Sequence, residues 1–187
     1  MDNTYWHYYL SLEKDFIRTI DYVEICPTNS KSISIRYLQL LLAIGSEVDV
    51  TLKRLCRLQS PKLRAGSSNI DFSRGNLLNK YPNFYKMVLK IPRYGKEIEP
   101  WKSWKYLQNP FWWHAYNDLK HERNKYFFEA NQKNTIESLG GLLCILLYLY
   151  IYTGSEQMLD PWSNFFDCKG SPGRLLLDTH ILLPDLR

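Results

Sequence analysis

The residues with the strongest chemical potential lie together in the run Tyr116-Asn117-Asp118-Leu119-Lys120-His121-Glu122-Arg123. On a helix, side chains three and four apart share a face. Trp113, Asn117, Lys120, His121, Asn124 and Phe128 are therefore expected along one side. Tyr116 adjoins it, and Leu119, Arg123, Tyr126, Phe127 and Ala130 are placed around the other sides. An imidazole titrates near neutral pH and can take or give a proton. Lys120 or Arg123 can stabilise charge on a phosphate, and Asn117 can orient the imidazole or a phosphate oxygen. These are the parts needed to cleave RNA without a metal. His121 would remove the 2′-hydroxyl proton, the 2′-oxygen would attack the adjacent phosphorus, and a cation would steady the transition state. The competing expectation is structural: Asn117 and His121 would be buried and satisfied by hydrogen bonds to the following helix or to the tail.

Other chemistries find less in the chain. His7, His114 and His180 are far apart and have no carboxylate spacing that makes a metal site. His114 lies two helical turns before His121 and could extend the same face. No nucleophile elbow, P-loop or G-x-G-x-x-G is present, so neither a metal nor a cofactor is expected. The cysteines at 26, 56, 144 and 168 form no C-x-x-C pair and read as reduced structural residues in a cytoplasmic protein. The aromatic group Trp101, Trp104, Phe111, Trp112 and Trp113 could offer a platform for bases. Its density fits better with packing between a connecting segment and the helix after it.

The elements that must position these residues are helical. Trp6, Tyr9, Leu12, Phe16, Ile20 and Val23 recur at steps of three and four, which predicts a helix over Tyr5–Val23. Leu38, Leu41, Gly45, Val48, Leu52 and Leu55 do the same for a helix from near Ser32 to about Leu58, with Gly45 admitting a close neighbour. The two stripes make an antiparallel hairpin. Residues 59–80 read as a connection with a short helix near Phe72–Lys80. Residues 84–104 hold a small β-hairpin around Pro92-Arg93-Tyr94-Gly95, expected as an insertion outside the core. Asn109 as cap and Pro110 at the first position open a helix reaching about Asn131. Asn134-Thr135-Ile136-Glu137 forms a capping box for a final apolar helix that ends at Gly154. The tail is an ordered wrap with at most a short strand at Thr179–Leu183. The fold class is thus all-α, an up-and-down bundle of four to five helices in one domain over 1–187, with an irregular insertion at 59–108.

Composition agrees with a packed domain. The 187 residues are 45% hydrophobic and 15% aromatic, with six Trp and fourteen Tyr, too much apolar bulk for disorder. The N-terminus shows no secretory pattern. The apolar run Leu142–Tyr152 is shorter than the roughly 20 residues a bilayer requires, so no membrane partner is expected. The net charge is +5, unevenly spread. Residues 53–105 carry thirteen Lys/Arg against three Asp/Glu, a concentration that suits an anionic partner such as RNA or a solvated surface.

The order Tyr-Asn-x-x-Lys-His, just before a capped apolar helix, resembles the R-N-x-x-x-H motif of HEPN domains. The resemblance covers 109–152 well and the first two helices by pattern. It implies an up-and-down helical bundle that dimerises, in a prokaryotic defence or toxin–antitoxin context. Two functions follow as alternatives: a metal-independent endoribonuclease, or a catalytically inactive homodimeric interaction or RNA-binding module, either one open to a protein partner or antitoxin. Asn117 and His121 take the motif's Asn and His places, with Lys120, Arg123 and Tyr116 in support. The motif's Arg place falls on Tyr116. Lys120 and Arg123 are the cations that could replace it, from different helical angles.

Overall fold

The computed structural model describes residues 3–60, 69–168 and 183–185. Five helices carry the architecture: α1 (Thr4–Ile20), α2 (Ile35–Gln59), α3 (Ile70–Lys80), α4 (Phe111–Tyr126) and α5 (Gln132–Tyr152). The chain is mostly helical, as its periodicity predicts. The stripe residues Trp6, Tyr9, Leu12, Phe16 and Ile20 on α1 are buried, and so are Leu38, Leu41, Gly45, Val48, Leu52 and Leu55 on α2. α5 is apolar on nearly every side and buried along almost its whole length, the signature of a central helix. It is the one helix among the described residues long and apolar enough to cross a membrane, with mean hydropathy 1.6, and 83% of that window lies inside the molecule, as in a core helix. α2 forms its largest packing surface against α5.

Helix boundaries differ from expectation where capping chemistry decides them. Ser34 caps α2, its hydroxyl accepting Tyr37 N–H at 3.0 Å, and Asn69 caps α3 through Phe72 N–H. Asn109 does not cap α4. Its amide is held by Arg74 at 2.9 Å and reaches Asp71 at 3.2 Å, so Pro110, in extended conformation, stands at the cap position. The capping box at 134–137 does not form either. Asn131 caps α5 by accepting Asn134 N–H at 2.9 Å, while the Asn134 side chain turns back to the Glu129 carbonyl and carboxylate.

The expected hairpin is present, but it is not outside the core. β1 (Leu89–Ile91) pairs antiparallel with β2 (Lys96–Ile98), Lys90 opposite Glu97. A third strand from the C-terminal region, β3 (Asp167–Cys168), adds to the other edge of β1. Leu89, Ile91 and Ile98 point inward. Ile98 and Pro100 lie where a side chain at Gly140 would stand, and the Trp112 ring occupies that place at Gly141. Trp101 donates its indole N–H to the Gly141 carbonyl at 3.0 Å, and Trp112 donates to Pro100 at 3.0 Å. Trp101, Trp104 and Trp112 are fully buried. The tryptophans therefore pack the insertion onto α4 and α5 and offer no exposed stacking platform, while Phe111 of the same group is 46% exposed, with the Lys133 ammonium 4.5 Å from its ring centroid. The expected strand at Thr179–Leu183 lies almost wholly outside the described residues.

The segment before β3 is strapped to α1. Trp6 donates its indole N–H to the Pro161 carbonyl at 3.1 Å. Glu13, 1% exposed, accepts from Tyr9 Oη at 2.9 Å, Asn164 N–H at 2.9 Å and the Ser163 hydroxyl. A buried carboxylate needs such donors. All four cysteines are free, and Cys56, Cys144 and Cys168 are buried.

Candidate nucleic-acid interface

α4 places the chemically suggestive run. Its first half is anchored by bulk: Trp112, Trp113, Ala115, Tyr116 and Leu119 are buried. Tyr116 is 5% exposed, and its ring occupies the space where any side chain at Gly45 of α2 would stand. Gly45 thus does admit a close neighbour, and that neighbour is the residue in the motif's Arg place. The Tyr116 ring also meets Trp113 at 5.1 Å. From this position it presents no cation to a ligand. Lys120, one turn on and exposed, holds its ammonium 5.6 Å from the Tyr116 ring centroid, so a positive charge stands just outside the buried tyrosine.

Asn117 and His121 sit on adjacent turns, as the i, i+4 spacing requires, but they are not linked. The half-buried Asn117 donates from Nδ2 to the Trp113 carbonyl at 2.9 Å, within its own helix, and not to α5 or the tail. His121 is exposed, and no described residue forms a hydrogen bond to its ring. The structural expectation that His121 is a satisfied buried histidine is therefore corrected.

The single straight helix expected over Pro110–Asn131 is also corrected. Glu122 leaves helical conformation with φ −132° and ψ 53°, and Phe127–Glu129 closes into a 3-10 turn. The face drawn through Asn124 and Phe128 therefore ends at His121. The break creates something periodicity does not predict: a shallow open depression lined by His121, Glu122, Arg123, Asn124 and Lys125. Lys125 pairs with Glu122 at 3.3 Å. Among the described residues, no carboxylate pairs with Lys120 or Arg123. The break thus brings Arg123, which regular geometry puts on another side of the helix, beside His121. Of the five candidate residues, Lys120, His121 and Arg123 face solvent at this end of α4, Asn117 stands one turn back, and Tyr116 belongs to the core.

Set against protein-family models, curated proteins and solved structures, the chain matches none. The chemistry open to this end of α4 follows from its groups alone. Two uncompensated cations and an imidazole can hold phosphate oxygens. A general base needs orientation as well as suitable titration, and nothing in the described chain fixes the His121 ring. Among the described residues no group of three or more His, Cys, Asp or Glu gathers as a metal ligand set.

The basic segment 53–105 is distributed over several elements. Its described cations are carried by α2, α3, the hairpin and the short 3-10 turns. Lys53, Arg74, Arg93 and Lys102 are each paired with a carboxylate, and Lys80 lies 4.4 Å from the Tyr152 ring centroid. Lys62 and Arg64 lie outside the described residues.

Proposed function

We propose that this chain is an HEPN-like RNA-binding domain that meets the RNA backbone through the exposed turn at the end of α4, with Lys120, His121 and Arg123 as the contacting groups. The observation that carries the proposal is the break at Glu122, which sets Arg123 and His121 around one open depression, with Lys120 one turn back and no described carboxylate paired with either Lys120 or Arg123. Charge of this kind binds phosphate without reading sequence. The burial of Tyr116 in the motif's Arg place and the commitment of Asn117 to its own helix favour binding over catalysis within one protomer. The defence or toxin–antitoxin setting and the homodimer are part of the same proposal, carried by the motif.

A second reading, metal-independent endonuclease activity, is favoured by the exposure of His121. A second copy would then have to orient its ring. The test uses a fluorescein-labelled 12-nucleotide single-stranded RNA in EDTA. Binding by anisotropy is expected to weaken tenfold or more in Lys120→Ala/Arg123→Ala and to be little changed in Lys90→Ala/Arg93→Ala on the hairpin. Equal affinity of wild type and the α4 variant would overturn the binding site. Cleavage that persists in EDTA and disappears in His121→Ala would establish the second reading.

A further inference from the structure

The surface leading away from the depression is aromatic. Lys125, which lines it, places its ammonium 4.7 Å from the Tyr126 ring centroid. The Tyr126 ring stands 6.2 Å from that of Phe128 at an interplanar angle of 54°. Folding accounts for two members of this turn: Tyr126 and Phe127 pack partly buried against the core. It does not account for the third. Phe128 is 58% exposed, and its hydrogen bond from Asn131 Nδ2 at 3.1 Å is accepted by the backbone carbonyl, which any residue supplies. Among the described residues no cation lies over its ring, in contrast to Tyr126. The His121 imidazole, the Arg123 guanidinium, the Glu122-paired Lys125 ammonium and then an open aromatic ring thus follow one another from the break in α4 into the 3-10 turn after it. Cationic groups followed by an open ring suit a nucleotide chain, which offers phosphates beside flat apolar base faces. Ile33, which the bridge to Asn131 brings to this turn, and Ile35 two residues on are also exposed, so a second copy of this protein is the competing occupant.

We infer that Phe128 is the base-stacking residue of this site. It takes the face of one unpaired base while Lys120 and Arg123 hold neighbouring phosphates. The inference rests on the RNA-binding reading and narrows it to RNA with an unpaired nucleotide at the contact, because a duplex hides its base faces in the stack.

The test compares the labelled 12-nucleotide single strand with a blunt 12-base-pair RNA duplex, on wild type and on Phe128→Ala, Phe128→Leu and Phe128→Trp. Sedimentation velocity runs on the same samples. Wild type is expected to prefer the single strand. Phe128→Ala and Phe128→Leu weaken that binding roughly tenfold, since stacking requires a ring. Phe128→Trp keeps it, and duplex binding and self-association do not change. Retained affinity in Phe128→Leu overturns stacking in favour of simple apolar contact. Loss of self-association in step with affinity overturns it in favour of an interface between copies. Equal binding of both RNAs with a silent Phe128→Ala removes this inference and leaves the RNA-binding reading standing. Failure of wild type to bind either RNA removes both.

Discussion

At the scale of single residues, burial decides which charged groups are available for function and which act on stability. Glu137, half-buried on α5, has its carboxyl pushed up to about 7. Burial is the main cause, and the nearby Lys133 and Lys96 pull only partly the other way. Its folded value lies above its unfolded one, so the stability it contributes is complete below about pH 4.5 and is lost as pH rises through about 7. Replacing Glu137 by Gln is therefore expected to raise the melting temperature at pH 8, by a free energy on the order of 1–3 kcal/mol, and to leave it nearly unchanged at pH 4.5. Thermal unfolding of both proteins across that range checks the sign. A larger gain at low pH would contradict it. Tyr116 shows the converse. The motif pattern puts it where a cation would serve chemistry, yet packing against Gly45 assigns it to the core. A sequence shows the residue type at such a position but not the neighbour that covers it.

At the scale of elements, the contact between α2 and α4 positions the candidate interface. A methyl group at Gly45 would overlap the Tyr116 ring, and overpacking of this kind costs about 1–3 kcal/mol, more than the helix propensity Ala gains over Gly. Gly45→Ala is expected to lower stability by that order in chemical denaturation. Gly45→Ala combined with Tyr116→Leu is expected to lose less than the sum of the single changes. Strict additivity would show that the contact does not carry the packing. The helices themselves were readable in the sequence because their apolar stripes repeat over several turns, as at Trp6–Ile20 and Leu38–Leu55. The break at Glu122 was not. Glu122 to Tyr126 contains no Gly or Pro, and the turn is set from outside: Ser34 N–H binds the Ala130 carbonyl, Gln132 N–H binds Ser32, and Lys133 N–H binds Ser30. Those tertiary bonds fix where α5 begins and force the chain to turn before it. β3 escaped for a different reason, since two residues cannot display a period.

At the scale of the whole molecule, the described C-terminal residues, 161–168 and 183–185, are part of the fold and not an appendage. They donate to Glu13, set Phe165 edge-on against Phe16 at 5.1 Å and supply β3. Near the end of the chain, Asp185 accepts Asn83 N–H and Nδ2, and Pro184 accepts the Tyr148 hydroxyl. Removing the Glu13 carboxylate leaves the Ser163 hydroxyl and the Asn164 N–H without their acceptor and the buried Tyr9 hydroxyl with only Ser163 Oγ, at 3.4 Å. Each orphaned buried group costs about 1–3 kcal/mol. Glu13→Ala is expected to destabilise the protein by at least that much and to speed hydrogen exchange at Asn164 and Phe166 before the rest of the domain. Uniform exchange would show that the strap does not open separately. The same integration explains why the insertion could not be assigned from pattern alone. Its tryptophans were readable as packing residues, but the partners they pack on, Gly141 and Pro100, are brought close only by the fold.

The central claim is that RNA phosphates bind at the exposed end of α4. The salt dependence of RNA affinity tests it most directly. For a single strand, each neutralised phosphate contributes about 0.7 to the slope of log affinity against log salt. Lys120→Ala/Arg123→Ala is predicted to reduce the wild-type slope by roughly 1.4 along with the affinity. An unchanged slope and affinity in that variant would show that the RNA, if bound at all, lies elsewhere on the molecule.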